Sequence, residues 1–449
     1  MNKRIFISSR YLLRSQPPFF YRLIDRKTGK EWNISKSLYK FIINHHLKPL
    51  PKNNDERVII ENLIKKRVFY LSEHGKKIRY QVIKPYKISF PLELAVIHFT
   101  NNCNLNCLHC YFKSIKAEED LKIEEIESII KKLVKMNVYK FLITGGEPLM
   151  RKDIFKLCRI LSRYKVLFSI NTNGTLLDRR MLKLLYRCGL RRVKVSLDGI
   201  SPETHDTLRN KKGVWKVVMR NLKYLKKFRE EKKLHWISIS TMLTKLNKDE
   251  IFEFFDFIVN DLRPDEWILE RPLFSGSAKE FWDKIYLPPE DSYEIITKLL
   301  KKINEVRPKY PSRIYLDNFY DWYNPKDTAS RYAFITLPQF CREHANYLFI
   351  AANGDVVLCP CSSPKDENLG KIGNVREERL ETLWNKVVKK RLLLSKKLKT
   401  CFTCKYLRIC GSGCRVRAFQ TSNSSLGCDL VVRRLLEIQE KEGRISEME

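Results

Sequence analysis

The sequence has no apolar run long enough to cross a bilayer, which argues against helical membrane spans. It is also poor in acidic residues, with 51 Asp and Glu against 86 Lys and Arg and a formal net charge of +35. Such a charge fits an acidic partner, a nucleic acid or an anionic membrane surface. The basic residues, however, are spread along the chain, and no compact basic cluster is interleaved with aromatic residues. We therefore expect neither a membrane nor a nucleic acid as partner.

The first residues, MNKRIFISSRYLLR, lack a continuous apolar segment and a small-residue cleavage site, which argues against a secretory signal. They also lack acidic residues before Asp25, which leaves an organelle transit peptide open, although the alternation in Arg4–Ile7 favours a strand. Without an export signal, the 13 cysteines indicate a reducing compartment, where grouped cysteines bind metals more often than they form disulfides. We expect a cytoplasmic protein with metal sites.

Strand-like and helical patterns alternate from residue 92 to about residue 275. Repeated β-α units imply parallel strands covered by helices, either as an open sheet or as a partial barrel. In both arrangements ligands collect at the C-terminal ends of the strands. The predicted strands are Leu94–Thr100, Phe141–Gly145, Val166–Asn171, Val193–Leu197, Trp236–Leu243 and Trp267–Leu273.

Two smaller regions flank these units. Residues 1–88 show the pattern strand, strand, helix, helix and short strand, which is typical of a small winged-helix domain. Residues 311–449 are rich in cysteine and end in a predicted helix over 430–441. The predicted fold class is therefore α/β, with a partial (β/α)6 barrel at residues 89–310 between a winged-helix-like domain and a cysteine-rich domain.

Three cysteines, Cys103, Cys107 and Cys110, follow the first predicted strand in the stretch NNCNLNCLHCYF. A structural zinc and an ordinary iron–sulfur cluster each take four protein ligands. Three thiolates instead hold three irons of a [4Fe–4S] cluster and leave the fourth iron open, as a catalytic metal site requires. The spacing therefore predicts a catalytic iron–sulfur site whose missing ligand is a small molecule.

This spacing resembles the signature of the radical S-adenosylmethionine (radical SAM) superfamily, CxxxCxxC followed by an aromatic residue, here Tyr111. The resemblance implies that the amino and carboxylate groups of S-adenosylmethionine chelate the open iron. The stretch Gly145-Gly146-Glu147-Pro148 resembles the family's GGEP motif, whose glycines let the backbone approach the methionine amino group. The other cofactor contacts that the resemblance implies are Asn173 in a TNG motif, Ser196 and Asp198 in an SLDG motif, and Arg209.

Seven further cysteines resemble the SPASM extension of radical SAM enzymes, which implies two auxiliary [4Fe–4S] clusters and three clusters in all. The resemblance assigns to one auxiliary cluster Cys401, Cys404, Cys410 and Cys428. It assigns to the other Cys341, Cys359 and Cys414. This second cluster lacks one thiolate, which Cys361, an open iron or a non-cysteine ligand would replace.

Two remaining cysteines, Cys158 on a helical apolar face and Cys188 at a helix end, are predicted to be inert core thiols. The tail spacing alone also allows a zinc ribbon. A zinc-binding winged-helix protein that binds nucleic acid is therefore the alternative from another class.

The resemblance implies that an external donor, such as ferredoxin or flavodoxin, reduces the first cluster, and that cleavage of S-adenosylmethionine gives a 5′-deoxyadenosyl radical. That radical removes hydrogen from the substrate, and the auxiliary clusters accept an electron. Most SPASM relatives act on peptides or proteins. Residues 1–88 resemble the PqqD-like leader-recognition domain of ribosomal-peptide maturases, which adds the leader as a strand at a sheet edge. We expect Ile5–Ile7 and Phe19–Ile24 to border that edge.

The leading hypothesis is thus an oxidoreductase that crosslinks or otherwise oxidises a ribosomally made precursor peptide. The alternatives among enzymes are a maturase of a protein active site, such as a sulfatase-type formylglycine generator, and a tetrapyrrole-modifying enzyme. The bond that is formed and the general base are not evident from the sequence.

Overall fold

The chain is described from a computed structural model. It divides into two compact units, one with Met1–Pro91 and Lys135–Asn137, the other with Leu92–Val134 and Val138–Glu449. Within the residues that are described, no helix has the length and apolar character needed to span a membrane. The structure describes residues 4–7, 11–16, 20–25, 31–51, 53–72, 81–83, 92–112, 119–231, 233–306, 313–316, 346–362 and 366–442.

The N-terminal unit contains helices α1 (Lys36–His45) and α2 (Asn54–Lys65) and six short strands. Ser35 begins α1 because its hydroxyl accepts a hydrogen bond from the Leu38 N–H at 3.0 Å. The strands are β1 (Arg4–Ile7), β2 (Tyr11–Gln16), β3 (Phe20–Asp25), β4 (Glu31–Asn33), β5 (Phe69–Ser72) and β6 (Gln81–Ile83).

These strands form two sheets, a β1-β5 pair and a four-stranded sheet in the order β4-β3-β2-β6. Both sheets and both helices share one apolar core. The helices and strands that were predicted after residue 19 are present, and Arg4–Ile7 is a strand, as its alternation indicates. The fully buried members of the core include Ile5, Leu13, Ile42, Ile60 and Phe69.

The prediction of the exposed edge is wrong. β3 pairs with β2 on one side and β4 on the other, so it lies inside its sheet. One edge of β1 pairs with β5. Its other edge is also occupied, because the Ile5 N–H donates to the Lys48 carbonyl at 2.9 Å. Among the described strands, the edges without a neighbour are those of β4, β5 and β6. Phe19 lies outside the described residues.

The second unit has one large sheet of ten described strands. They are β7 (Leu94–Thr100), β8 (Lys140–Gly145), β9 (Leu167–Thr172), β10 (Arg192–Ser196), β11 (Trp236–Met242), β12 (Glu266–Glu270), β13 (Arg313–Leu316), β14 (Tyr347–Ile350), β15 (Asp355–Val357) and β16 (Lys371–Asn374). Their order is β13-β12-β11-β10-β9-β8-β7-β14-β15-β16. All neighbours from β13 to β14 are parallel.

Helices connect these strands, and their apolar faces cover the sheet, as in α3, where Ile126, Ile130 and Leu133 are buried. The helices are α3 (Ile123–Lys135), α4 (Ile154–Arg163), α5 (Arg179–Arg187), α6 (Pro202–Arg209), α7 (Val214–Glu230), α8 (Ile251–Phe257), α9 (Trp282–Ile285), α10 (Pro289–Val306), α11 (Leu380–Lys396), α12 (Lys399–Phe402), α13 (Leu407–Cys410), α14 (Arg415–Ser422) and α15 (Leu430–Lys441). Short 3₁₀ turns lie at Pro148–Met150 and Gly276–Lys279, and a π-helical turn lies at Ile258–Leu262.

The predicted α/β fold, with a partial barrel of parallel strands, is confirmed, and all six predicted strands of the barrel are present. Two parallel strands were not predicted, β13 beside β12 and β14 beside β7. Because β14 belongs to the cysteine-rich region, that region continues the same sheet and forms one compact unit with it. The cysteines that follow β15 are thereby fixed relative to the loop that follows β7.

Candidate functional site

The three-cysteine loop follows β7 and is held by backbone hydrogen bonds to helix α6 and to the 3₁₀ turn Gly276–Lys279. The Leu108 N–H donates to the Leu208 carbonyl at 2.9 Å, and the Ser277 N–H donates to the Cys110 carbonyl at 2.8 Å. Cys103 is exposed, whereas Cys107 and Cys110 are half-buried. Burial raises the pKa of the Cys107 thiol to about 11, and the neighbouring Cys110 thiolate raises it further. Three thiols are thus brought together at the predicted place.

Two side chains donate toward these sulfurs. Asn173 Nδ2 lies 3.9 Å from Cys103 Sγ and 2.8 Å from Asn104 Oδ1. Arg209 Nη1 lies 3.7 Å from Cys107 Sγ, and this guanidinium opposes the rise in the pKa of that thiol. N–H groups that face sulfur stabilise the thiolate form that ligates iron. The loop therefore fits a three-thiolate cluster site.

Gly145 and Gly146 lie against the same loop. Gly145 has φ +126°, and a Cβ atom there would lie 2.4 Å from the Thr100 carbonyl oxygen. A Cβ atom on Gly146 would lie 2.1 Å from the Asn102 carbonyl oxygen. Glycine is needed at both positions because the backbone leading into the cysteine loop passes so close to them that a side chain would clash. The predicted contact between these glycines and the methionine amino group stays a prediction.

Replacing Gly146 by alanine is expected to displace the loop that begins with Cys103, because the clashing atom is backbone and cannot rotate away. We expect the purified protein to lose one of three clusters, about one third of its iron and sulfide. Gly370→Ala is the matched control, since its Cβ would lie 3.7 Å from the nearest atom. Full iron content in Gly146→Ala would contradict this role.

Glu147 is fully buried below the loop. Its carboxylate accepts hydrogen bonds from the Thr172 hydroxyl at 2.9 Å, the Asn173 N–H at 2.8 Å and the Leu149 N–H at 3.0 Å. Burial raises the pKa of Glu147 to about 7, against the effect of these donors. The described contacts are with protein groups, so Glu147 joins the ends of β8 and β9 and positions Asn173. Its predicted contact with the cofactor stays a prediction.

Asp198 and Arg209 form a buried ion pair beside Cys107. Arg209 Nη2 lies 2.7 Å from Asp198 Oδ2, and the two side chains are 9% and 1% exposed. Burial raises the pKa of Asp198, but Arg209 and His109 outweigh it and lower the pKa overall. Asp198 therefore holds Arg209 against the cysteine loop. The predicted contacts of Asp198 and Arg209 with S-adenosylmethionine remain predictions.

Two histidines that contact Asp198 were not predicted from the sequence. His109 Nε2 lies 3.9 Å from Asp198 Oδ2, and burial lowers the pKa of His109 to about 4. His205 Nδ1 accepts a hydrogen bond from the Asp198 N–H at 3.1 Å. His109 lies inside the three-cysteine stretch and His205 lies four residues before Arg209, and only the fold brings both to Asp198.

The sheet face beside the loop is polar. Ser196 is in register with Ser240, and the Ser240 hydroxyl donates to Glu270 Oε2 at 2.5 Å. Burial raises the pKa of Tyr111 well above its usual value, and the Cys361 and Cys110 thiolates add to this, followed by Glu270 and Cys359. Tyr111 therefore lies among groups of both cysteine-rich regions. Glu270, at the end of β12, is a carboxylate that the sequence did not single out.

One auxiliary group of cysteines lines a single cavity of about 330 Å³. Cys410 is half-buried, and desolvation raises the pKa of its thiol, as do Asp429 and Cys401, while Arg415 opposes them. This cavity fits the four-thiolate cluster that the sequence predicts. The cysteines that line it are Cys401, Cys404, Cys410 and Cys428.

The other auxiliary group is partly described. Burial raises the pKa of Cys414 to about 11, and Cys359 is among the further groups that raise it, which puts these two thiols close together. Cys361 is half-buried and, with Cys359, interacts with Tyr111. Cys341 lies outside the described residues. The predicted core thiols Cys158 and Cys188 are buried, at 0% and 4% exposure.

Among the described side chains, no three His, Cys, Asp or Glu residues are arranged to hold a metal ion. Each cysteine of a [4Fe–4S] cluster binds a different iron, so cluster ligands need not converge on one point.

Comparisons with known proteins agree with this site. Residues 97–258 match the radical SAM superfamily, and residues 341–405 match the SPASM iron–sulfur cluster-binding domain. The chain therefore carries a radical SAM domain followed by a SPASM domain, which imply [4Fe–4S] clusters and S-adenosylmethionine. The SPASM match ends before Cys410, Cys414 and Cys428, whose assignment to clusters remains a prediction.

Curated relatives cover the larger part of the chain at low identity. Fe-coproporphyrin III synthase of Methanosarcina barkeri is 27% identical over 346 residues, 72% of this chain and 84% of the relative. GTP 3′,8-cyclase of Aquifex aeolicus is 29% identical over 290 residues, 61% of this chain and 83% of the relative.

Solved structures resemble this fold over more of the chain. Streptococcus suis SuiB bound to precursor peptide SuiA has a TM-score of 0.67 at 18% identity, covering 95% of this chain and 98% of that chain. Native anSMEcpe with bound AdoMet has a TM-score of 0.60 at 21% identity, covering 78% of this chain and 98% of that chain. At these identities the likeness establishes the fold.

Proposed function

We propose that this radical SAM enzyme oxidises a ribosomally made precursor peptide by two electrons, which creates a crosslink or a related modification. The observation that supports a peptide substrate is the extent of the SuiB likeness. It covers 95% of this chain, and one SuiB structure is bound to its precursor peptide. The structural alignment with SuiB thus covers most of the chain, whereas the sequence alignment with Fe-coproporphyrin III synthase covers 72% of it.

The N-terminal unit supports the same proposal, as a PqqD-like leader-recognition domain. β4, β5 and β6 have edges without a described neighbour, and an extended peptide can add to such an edge as a further strand. Trp32 on β4 is 37% exposed, which offers an apolar contact to a bound strand. The leader is therefore proposed to bind at one of these edges.

In the proposed reaction, Cys103, Cys107 and Cys110 hold the first cluster. When bound, that cluster and S-adenosylmethionine supply the radical chemistry that removes a hydrogen atom from an unactivated carbon. Arg209 and Asn173 donate toward the ligating sulfurs. Glu270 is proposed to accept the proton that the substrate loses as it is oxidised, since it ends β12 and its carboxylate accepts a hydrogen bond from the Ser240 hydroxyl.

The auxiliary cysteines would hold clusters that supply an acceptor for the second electron, and Tyr111 interacts electrostatically with Cys110 of the first loop as well as with Cys359 and Cys361. A ferredoxin or flavodoxin would serve as external donor, and the high positive charge of the chain would speed encounter with such acidic carriers. A cytoplasmic location belongs to the same proposal.

A tetrapyrrole-modifying activity is the second candidate. It is favoured by the 27% identity to Fe-coproporphyrin III synthase over 346 residues. Propionate groups of such a substrate are anionic and would suit the basic chain.

The test compares the two substrate classes in one assay. Anaerobic protein, dithionite and S-adenosylmethionine are incubated either with the peptide encoded by a short neighbouring reading frame or with a panel of iron porphyrins that carry acetate and propionate side chains, and both substrates are analysed by mass spectrometry. We expect the peptide to lose two hydrogen atoms and the porphyrins to remain unchanged. A mass change in any of these porphyrins, with an unchanged peptide, would overturn the proposal.

A further inference from the structure

Arg415 is a buried cation without a counter-ion among the residues that the structure describes. Its side chain is 2% exposed, and within the described part of the chain no carboxylate lies at ion-pair distance from it. Its Nε and Nη2 atoms are buried and have no hydrogen-bond partner. Since a buried charge is costly unless it is compensated, this arrangement calls for an anion that the protein itself does not supply.

Arg417, two residues further on, makes the contrast clear. It is 5% exposed, yet its Nε lies 3.1 Å from Asp429 Oδ2, so a carboxylate compensates its charge. Asp429 also accepts a hydrogen bond from the Cys414 N–H at 2.8 Å. The two arginines therefore share a helix and a degree of burial, but among the described residues only Arg417 has a carboxylate partner.

Arg415 lines the cavity of about 330 Å³ that the four auxiliary cysteines also line. Its Nη1 donates to the Ser425 carbonyl at 3.0 Å and to the Gly427 carbonyl at 2.9 Å, which fixes the guanidinium just before Cys428. The same guanidinium favours the thiolate form of Cys410. A cation is thus held beside two of the four proposed cluster ligands.

We propose that the missing counter-ion of Arg415 is the four-thiolate auxiliary [4Fe–4S] cluster, and that Arg415 sets the reduction potential of this cluster. Such a cluster carries one more negative charge after it accepts an electron, so a fixed guanidinium beside it stabilises the reduced form more than the oxidised form. Arg415 therefore raises the potential and makes this cluster a better acceptor for electrons that leave the substrate.

The assignment of those electrons to the substrate rests on the proposed function, but the potential does not. It can be measured with dithionite as the electron source and without any substrate. A failure to modify peptides therefore leaves this inference standing, and an unchanged potential leaves the peptide proposal standing.

The experiment is an anaerobic redox titration followed by electron paramagnetic resonance, in full-length protein in which Cys103, Cys107 and Cys110 are alanine so that only auxiliary clusters contribute. In this background Arg415→Met is compared with Arg415→Lys and with Arg433→Met. Arg433 is the matched control because it lines the same cavity, but its side chain is 57% exposed and paired with Glu437.

We expect Arg415→Met to lower one auxiliary midpoint by at least a tenfold change in the equilibrium constant, about 59 mV for one electron, while Arg433→Met shifts it much less. If Arg415→Met fails to retain that cluster, Arg415→Lys is expected to retain it, because the charge is kept. An unchanged midpoint, an equal shift in Arg433→Met, or loss of the cluster in both Arg415 variants would overturn the proposal. Loss of the cluster in both variants would mean that Arg415 only stabilises the loop before Cys428, through its hydrogen bonds to that loop.

Discussion

Replacing Cys103, Cys107 and Cys110 together by alanine is expected to remove one of three [4Fe–4S] clusters and to abolish release of 5′-deoxyadenosine. The three thiols lie on one loop, and Asn173 and Arg209 donate toward two of them. Without these ligands nothing holds the iron to which S-adenosylmethionine binds. Iron and acid-labile sulfide should fall by about one third, because the auxiliary cysteines are separate from this loop.

The control for this prediction removes thiols that no cluster uses. Cys158 and Cys188 are both buried in the core, so replacing them by alanine should leave iron, sulfide and 5′-deoxyadenosine formation unchanged. Zinc as the main metal, with no acid-labile sulfide in the parent protein, would contradict the iron–sulfur assignment itself. It would favour the zinc-binding alternative instead.

Deleting residues 1–88 is expected to leave slow, substrate-free cleavage of S-adenosylmethionine largely intact while peptide modification collapses. The N-terminal unit and the second unit are each compact, and the N-terminal unit has an apolar core of its own, so we expect the second unit to fold without it. A leader held by this unit raises the local concentration of the core peptide to about millimolar, and deletion loses that advantage. The measurement is turnover of the same peptide by the full chain and by the truncated chain.

Two further experiments distinguish leader binding by the N-terminal unit from a purely structural role of that unit. Adding the excised unit in trans should restore part of the modification, and a peptide without its leader should react as slowly with the full chain as the complete peptide does with the truncated chain. Equal rates on peptides with and without a leader would show that the unit only supports the second unit. The tetrapyrrole candidate would then come first.

Local signals in the sequence were sufficient for most of the barrel. Its strands are either apolar runs or alternate apolar with polar residues, and β7, Leu94–Thr100, was predicted at its observed bounds. The cysteine loop, Gly146 and Asp198 all follow strands, so the topology of parallel strands was enough to predict that they meet at one end.

Contacts between distant segments could not be predicted in the same way. β14 pairs with β7 across some 250 residues of chain, and no local pattern specifies that partner. The edge prediction failed for the same reason, because β2 covers the side of β3 that was expected to be free. The roles of His109 and Arg415 depend on which partners the fold supplies or withholds.

The most direct test of the central claim follows a hydrogen atom from the peptide to the cofactor product. A precursor peptide uniformly labelled with deuterium at carbon is incubated with the anaerobic protein, dithionite and S-adenosylmethionine, and the mass of the 5′-deoxyadenosine is measured. With labelled peptide we expect one deuterium in each molecule formed above the slow substrate-free background, and with unlabelled peptide we expect none. If 5′-deoxyadenosine remains free of deuterium while the peptide is present and bound, the peptide is not the hydrogen donor and the account of this protein as a peptide maturase is wrong.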